Sequence, residues 1–341
     1  MRVGVIARSF WPINRTVRFG KLAEELGFDC CWINSTPTSR DSFIILSAIA
    51  LNTENIRVGT SVTDIHLRHP IVLAGAISSL YEISDGRADL GLTGGGIPNL
   101  HGRLGVEWTD LPNKSREAVI LIKRLLKGER VVHKGKYYSI DDLQLQAPQR
   151  NVRVLLAAHA PRMINVAAEV ADGMIMIKGP LEFQKFLLGT YEKTLKELKR
   201  PRWSGHTVME SVVIVDNDRK TAYDRARPFA AEMVSHYNLV YKPPRESLAM
   251  KALGLTREQG EYYQQNPQEL PDEIIPKVTI CGSVEDCISQ IKELKQLGLD
   301  EFYCWYPEYG IEQLITTDLI KSREQLIRDV GGMLLPEVQK I

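Results

Sequence analysis

The stretch from Arg57 to Thr93 reads RVGTSVTDIHLRHPIVLAGAISSLYEISDGRADLGLT and contains one complete strand–helix–strand unit. The β-branched run Arg57–Val62 predicts a buried strand, and Asp89–Thr93 predicts a second one. Between them, Pro70–Ile83 has the apolar spacing of an amphipathic helix, and Pro70 suits the first helical turn. Units of this kind are the building blocks of α/β folds.

Short apolar runs alternate with helical patterns along the whole chain. Eight strand-plus-helix units favour a (β/α)8 TIM barrel. A doubly wound sheet is the alternative, but it rarely needs eight such units, and no GxGxxG motif follows the first strand. The predicted strands are Val3–Ala7, Cys30–Asn34, Arg57–Val62, Asp89–Thr93, Arg153–Ala158, Gly173–Ile177, Ser211–Val215 and Glu301–Tyr306. The predicted helices are Arg15–Leu26, Pro70–Ile83, Ser115–Leu126, Ala160–Ala171 and Ser283–Leu297.

Two segments interrupt this repeat. Residues 131–145 alternate apolar and polar side chains around Lys134-Gly135-Lys136, which predicts a β-hairpin before strand five. Residues 237–276 are rich in proline, beginning with Lys242-Pro243-Pro244, and we expect this insertion after strand seven to lie over the C-terminal face. We therefore expect one domain, residues 1–341, with two insertions.

The composition excludes several classes of protein. The 341 residues include 43 basic and 42 acidic side chains, so a net charge of +1 gives no reason to expect nucleic acid or a membrane surface as partner. The chain opens on a strand rather than a signal peptide, and Phe43–Leu51 is too short to span a bilayer. Five scattered cysteines favour a cytoplasmic location, and no motif predicts a metal.

Small residues at the ends of predicted strands are the candidate binding positions. Gly59–Thr63 closes strand three and could receive a flat ligand, or could be an ordinary turn. Gly94–Gly96 follows strand four. We expect that three consecutive glycines are not needed for packing there, but that they allow positive φ angles or close contact with another group. A flexible loop is the alternative. Ala157–Pro161 leads into a helix whose amides could bind an anion, or it merely initiates that helix. Lys178 could add charge to the same anion, or be a solvated lysine.

The chain resembles the bacterial luciferase-like superfamily over nearly its whole length. Within that superfamily, its length and proline-rich insertion are most similar to the coenzyme F420-dependent oxidoreductases, especially the methylenetetrahydromethanopterin reductases. The residues that carry the resemblance are Arg57–Val62, Arg68–Pro70 and Ser79–Leu92, supported by Gly128–Arg130, Ala171–Gly173, Gly282–Asp286 and Leu297–Asp300.

The resemblance implies a luciferase-like (β/α)8 barrel with coenzyme F420, or alternatively FMN, at its C-terminal face. The coenzyme ring would lie against a bulge with a cis peptide bond between Ser61 and Val62. The coenzyme phosphate would lie on the backbone of residues 159–161. The implied cofactor-binding residues are Asn34, Ser35, Ser61, Val62, Thr63, Gly94, Gly95, Gly96, Ala158, His159, Ala160, Pro161 and Lys178.

The implied reaction is hydride transfer between the deazaflavin C5 and a small organic substrate, for which the pterin reductases suggest a methylene-tetrahydropterin. An FMN-dependent monooxygenase is one alternative, and a non-catalytic flavin- or deazaflavin-binding protein is another. The resemblance also implies a homodimer or a higher homo-oligomer.

Three positions depart from the superfamily pattern. Relatives carry Asp-His after strand two, a carboxylate after the strand-four glycines and, in the pterin reductases, a glutamate in strand one. This chain has Asn34-Ser35, Gly96 and Ile6 there. The catalytic candidates are therefore Asp64 and His66, with Arg8 and His159 as other polar groups nearby. Because three proton-handling positions are empty, we predict a substrate whose reduction needs little acid–base help, such as an iminium carbon.

Overall fold

The sheet of the computed structural model is a closed barrel of eight parallel strands. The structure describes residues 1–95, 102–107, 109–202, 205–240, 247–306 and 317–341. Around the ring, the third strand pairs with both the second and the fourth, and the first strand pairs with the eighth, so the predicted (β/α)8 fold is confirmed. The barrel strands are β1 (Arg2–Ala7), β2 (Cys30–Ile33), β3 (Arg57–Thr60), β5 (Ala88–Thr93), β8 (Arg153–Ala157), β9 (Gly173–Ile177), β10 (His206–Ser211) and β13 (Glu301–Cys304).

Helices follow the barrel strands and cover the outside of the sheet. The helices next to the barrel bury an apolar face, as Phe19, Leu22 and Ala23 do on the first helix. Through the barrel they are α1 (Ile13–Glu25), α2 (Ser42–Ala50), α3 (Pro70–Ile83), α4 (Leu111–Leu126), α5 (Pro161–Val170), α6 (Leu181–Glu197) and α7 (Arg219–Val240). Later come α8 (Leu248–Leu253), α9 (Arg257–Gln265), α10 (Ile275–Val278), α11 (Val284–Gln296), α12 (Thr317–Asp329) and α13 (Leu335–Val338).

Both predicted insertions are present. The strands β6 (Val131–Lys134) and β7 (Ser139–Leu143) form the expected antiparallel hairpin. The described part of the proline-rich insertion consists of the end of α7, the helices α8, α9 and α10, and a single 3-10 turn. Lys242-Pro243-Pro244 lies outside the described residues. Tyr237 at the start of this insertion donates its hydroxyl proton to the carbonyl of Lys178, which places the insertion at the C-terminal end of β9 as predicted.

The seventh barrel strand was predicted wrongly. It is β10, His206–Ser211, whereas the predicted Ser211–Val215 contributes β11 (Val213–Val215), which pairs with β12 (Ile280–Gly282) outside the barrel. The strand was predicted too late in the chain because the residues after Ser211 form a continuous β-branched run. The true strand has polar residues at both ends, His206, Thr207, Glu210 and Ser211, and only two apolar residues between them. The third strand also ends two residues early, and Thr63–Asp64 forms a short strand, β4, on β5.

The N-terminal end of the barrel interior is closed by a buried ion network. The carboxylate of Asp89 accepts hydrogen bonds from Arg57 and Arg153, and Arg153 also donates to Glu301 at 2.6 Å. Burial by itself raises the pKa of Asp89, but Arg153 and Arg57 outweigh that effect and hold the pKa below its usual range. The charges therefore neutralise one another at this end, away from the C-terminal face.

Aromatic side chains fill the middle of the barrel. Trp32 and Tyr303 meet edge to face with ring centroids 4.5 Å apart. A Cβ atom at Gly59 would lie 2.7 Å from the indole nitrogen of Trp32, so that glycine is needed for packing rather than for a ligand. This packing separates the ion network at the N-terminal end from the opposite, C-terminal opening of the barrel. Among the helices in the described parts of the chain, none combines the length and apolar character needed to cross a membrane.

Candidate active site

The C-terminal opening of the barrel, here called the mouth, has a floor formed by Ser61, Val62 and Glu210. A hydrogen bond across the barrel connects two of these residues. The Ser61–Val62 peptide bond is cis, as the resemblance implies. The hydroxyl of Ser61 donates to the carboxyl group of Glu210. Because β3 and β10 are four places apart in a ring of eight strands, this bond crosses the barrel axis. A molecule entering the mouth would rest on Ser61, Val62 and Glu210.

Glu210 is the functional candidate that sequence reasoning missed. It is the fifth residue of β10, in register with Ile177 on one side and Tyr303 on the other. Burial raises the pKa of its carboxyl group to about 7, although the Ser61 hydroxyl and the positive charge of Arg8 act in the opposite direction. A carboxyl group with this pKa can both give and take a proton near neutral pH. Placing strand seven five residues too late had put Glu210 outside it.

Arg8 is a buried, positively charged residue near this surface. It follows β1 directly and is 6% exposed. Its guanidinium carbon lies 5.2 Å from the centre of the Phe10 ring. Within the described parts of the chain, its Nε atom is buried and has no hydrogen-bond partner. The sequence had named Arg8 as a nearby polar candidate, and its positive charge acts on the carboxyl group of Glu210 by lowering its pKa.

The two catalytic candidates, Asp64 and His66, are brought together on the loop that follows β4. The Nδ1 atom of His66 is 3.0 Å from Oδ1 of Asp64, and the backbone N–H of His66 donates to the same oxygen at 2.7 Å. The imidazole has no exposed surface. Tyr138 of the hairpin braces this loop by donating its hydroxyl proton to the carbonyl of Ile65 at 3.0 Å. The geometry makes His66 a fixed partner of Asp64.

The residues after β2 have local structural partners. Asn34 accepts a hydrogen bond from the backbone N–H of Ser9 at 2.8 Å and donates to the hydroxyl of Thr36 at 3.0 Å. Its amide thus ties the end of β2 to the loop after β1. Ser35 is half-buried beside it, and Ile6, which replaces the glutamate of the pterin reductases, is buried.

The glycines after β5 serve different purposes. A Cβ atom at Gly94 would lie 2.8 Å from the hydroxyl oxygen of Ser115 on α4. The expectation that none of these glycines is needed for packing is therefore wrong at Gly94. Gly95 has a φ of +99°, which non-glycine residues rarely adopt, and its N–H donates to Thr93. Gly96 lies outside the described residues.

The segment 158–161 ends at an uncapped helix start. Helix α5 begins with Pro161 after Ala160, has no side-chain cap and has no acidic residue in its first turn. Such a start offers backbone N–H groups and a positive helix-dipole end to an anion. The imidazole Nε2 of His159 accepts a hydrogen bond from the N–H of Ile177 at 3.0 Å, and burial, helped by His236, lowers its pKa to about 3. His159 is therefore neutral, and the anion-binding capacity belongs to the backbone.

Lys178 is buried rather than solvated. Its ammonium donates to the carbonyl oxygens of Gly179 and Lys277, both at 2.9 Å. Burial lowers its pKa to about 8. The bond to Lys277 holds α10 of the insertion against the end of β9. The structure does not show this charge directed at the start of α5.

A barrel whose polar groups gather where the strands end has the layout of a (β/α)8 enzyme. The chain belongs to the luciferase-like monooxygenase family, whose profile matches residues 1–301. The family and the fold predicted from the sequence are both confirmed.

Three similar proteins illustrate the relationship. The chain is 30% identical to the 5,10-methylenetetrahydromethanopterin reductase of Archaeoglobus fulgidus, over 94% of each chain. It is 27% identical to the F420-dependent glucose-6-phosphate dehydrogenase of Microbacterium testaceum, over 100% of this chain and 98% of that one. The solved coenzyme F420-dependent tetrahydromethanopterin reductase of Methanopyrus kandleri superposes with a TM-score of 0.83 at 20% identity, over 98% of this chain and 99% of that chain, which supports the fold.

Proposed function

We propose that this chain is a coenzyme F420-dependent oxidoreductase that transfers a hydride between the bound deazaflavin and a small organic substrate. The names of its relatives agree with this enzyme class. The observation that carries the proposal is the pairing of two features at one barrel mouth. One is the floor formed by Ser61, Val62 and Glu210, and the other is the uncapped start of α5.

The residues present fit the coenzyme. The ring would lie against Ser61 and Val62, and the buried Nε of Arg8 is a donor that the described protein leaves without an acceptor. The phosphate would lie at the start of α5, where the backbone N–H groups of Ala160, Arg162 and Met163 are the donors and no acidic side chain of the first turn opposes it. When bound, the coenzyme supplies the hydride chemistry, and the protein supplies position and charge.

The geometry changes the expectation about proton handling. A substrate whose reduction needs little acid–base help was predicted because three proton-handling positions are empty. Glu210 now offers a carboxyl group at the mouth, whereas His66 is buried against Asp64. A methylene-tetrahydropterin fits this arrangement, because opening its N–C–N bridge to an iminium ion requires a proton on the departing nitrogen. We propose this substrate class, with Glu210 as a candidate source of that proton.

Binding and turnover together test the proposal. The purified protein is titrated with F420 and with FMN, and each complex is then assayed with a methylene-tetrahydropterin, glucose 6-phosphate and a secondary alcohol. We expect tighter binding of F420 than of FMN, and turnover of the pterin. FMN binding at least as tight, with oxygen-dependent substrate oxidation, would instead support a monooxygenase. Tight binding without turnover of any substrate would support a binding protein.

The homodimer or higher homo-oligomer implied by the resemblance and the cytoplasmic location remain predictions. Light scattering coupled to size-exclusion chromatography, with and without F420, measures the mass in solution. A mass that corresponds to one chain of 38.5 kDa under both conditions would contradict the predicted oligomer.

A further inference from the structure

We infer that Arg8 and Glu210 form a proton-linked anion site on the floor of the mouth. Arg8 receives the negatively charged edge of a bound planar ring, and Glu210 takes up a proton as that ring binds. This inference rests on the proposed function, because the ring is that of the coenzyme.

The first observation is the guanidinium of Arg8. It is more than nine-tenths buried, it contacts the Phe10 ring, and its Nε lacks a hydrogen-bond partner among the described residues. Leaving a buried charged donor without an acceptor is costly, so native proteins generally provide one. A ligand edge with acceptor atoms at the mouth would satisfy the planar guanidinium.

The second observation is the position of Glu210 at the barrel axis, where the charge of Arg8 acts on it. Its hydrogen bond to Ser61 holds the carboxyl group at the barrel axis, on the surface where the ring is proposed to rest. When ionised, Glu210 is the countercharge of Arg8. An arriving anion competes for the same positive charge and places a second negative charge beside the carboxylate, which favours its protonation. Because the pKa of Glu210 is already about 7, a further rise in this pKa leaves the carboxyl group protonated near neutral pH.

Among the groups on neighbouring elements, Lys178 also titrates, with a pKa of about 8, and because it is present in both wild type and Glu210→Gln its contribution cancels when the two are compared. On the β9 side, the Lys178 ammonium donates to two backbone carbonyls, and the His159 imidazole is a neutral acceptor. On the β13 side, the Tyr303 hydroxyl donates to Glu301 at 2.8 Å. The Asp64 carboxylate, on the loop after β4, is paired with His66. Arg8 and Ser61 are the groups that act directly on Glu210.

The proton balance of the step is simple. The ring carries one delocalised negative charge, and the carboxyl group of Glu210 is ionised before binding. When the two come together, one proton from solvent binds to the carboxyl group, which is neutral in the complex. No electron moves, so no oxidant or reductant is needed. Oxidised FMN has a neutral ring with a comparable phosphate and therefore serves as the matched ligand that should not drive this uptake.

Calorimetric titration measures the protons exchanged. F420 is titrated into the protein at pH 8 in two buffers of different ionisation enthalpy, and the difference between the binding enthalpies gives the proton uptake. We expect the wild-type protein to take up most of one proton more than Glu210→Gln does. We expect oxidised FMN to show no such difference. Glu232→Gln is the control, because burial also raises the pKa of Glu232, which lies on α7 and bonds to Gln264.

Arg8→Gln tests the other half of the pair. We expect it to weaken F420 binding at least tenfold and oxidised FMN binding by less. A carbon-13 NMR titration of the Glu210 carboxyl group in the wild-type protein, with and without F420, gives a second measurement if a variant fails to fold. Its midpoint should rise on binding. Equal proton uptake by wild type and Glu210→Gln, or an unchanged NMR midpoint, would overturn the inference. If neither coenzyme binds, the proposed function and this inference fail together; binding without proton uptake removes the inference alone.

Discussion

At the scale of single residues, the site depends on groups that are far apart in sequence. Ser61 and Glu210 are separated by 149 positions, and they meet because the closed sheet places β3 and β10 on opposite sides of one axis. Arg8 reaches the same place from the end of β1. The chemistry of each side chain is ordinary, and the enclosure by the barrel gives Glu210 its unusual proton affinity.

Glu210→Gln should change stability in a pH-dependent way. The carboxyl group has a pKa of about 7 in the folded protein against a usual value of 4.5, so the unfolded chain ionises first as the pH rises. Its contribution to stability is therefore fully present below pH 4.5 and is lost as the pH rises to about 7. We expect the variant to match wild type at pH 4.5 and to be more stable by about 3 kcal/mol at pH 8. Urea unfolding at both pH values measures this, and a difference independent of pH would contradict it.

At the scale of elements, the helix start of α5 and the hairpin β6–β7 shape the mouth from two sides. The helix contributes its uncapped amides, and the hairpin braces the loop that carries Asp64 and His66. Neither role depends on an unusual residue type. Each depends on where a regular element begins or turns, and so can be changed by a single substitution that leaves the fold intact.

Ala160→Asp should weaken binding of the phosphorylated coenzyme. An aspartate at this position would cap α5 and place a negative charge where the phosphate is proposed to lie. We expect F420 affinity to fall more than tenfold. Ala160→Asn is the matched control, since it caps the helix without adding charge and should cost less affinity. The phosphate-free deazaflavin riboside should bind wild type and Ala160→Asp alike. A similar loss of affinity for both ligands would place the phosphate elsewhere.

Tyr138→Phe should loosen the loop after β4. The change removes the hydrogen bond to the carbonyl of Ile65, at a cost of about 1 kcal/mol. We expect faster amide hydrogen exchange at residues 63–67. Tyr137→Phe is the control from the same hairpin, because its hydroxyl donates to Asp110 beside α4 instead. Equal exchange in the two variants would show that the hairpin does not brace the loop.

The sequence predicted those parts of the fold that have a local pattern. Helix Pro70–Ile83 and strand Gly173–Ile177 have the predicted bounds, because their apolar periodicity is continuous. Strand β10 was missed because His206 and Glu210 interrupt its apolar pattern. No local sequence pattern predicts the hydrogen bond between Ser61 and Glu210. It follows from the closure of the sheet, and recognising it would have required the correct seventh strand first.

At the scale of the whole molecule, the barrel is closed by strands from opposite ends of the chain. Strand β1 pairs with β13, and β13 pairs with β10, so the barrel does not close before residue 304 is in place. The insertion is tied to this barrel through Lys178 and Tyr237. These links support our proposal that residues 1–341 form one domain with two insertions, which should unfold as a unit.

Unfolding followed by two probes tests that proposal. Fluorescence of the buried Trp32 and Trp305 reports on the barrel, and pulsed hydrogen exchange of residues 247–265 reports on the insertion. We expect coincident transitions, because separating α10 from β9 would break the hydrogen bond from the Lys178 ammonium to the Lys277 carbonyl. F420 at 100 times its dissociation constant should stabilise both transitions by about 2.7 kcal/mol, since it would bind only the folded mouth. If the insertion unfolds first and F420 shifts only the barrel transition, the chain contains two units that unfold separately, and the insertion takes no part in holding the coenzyme.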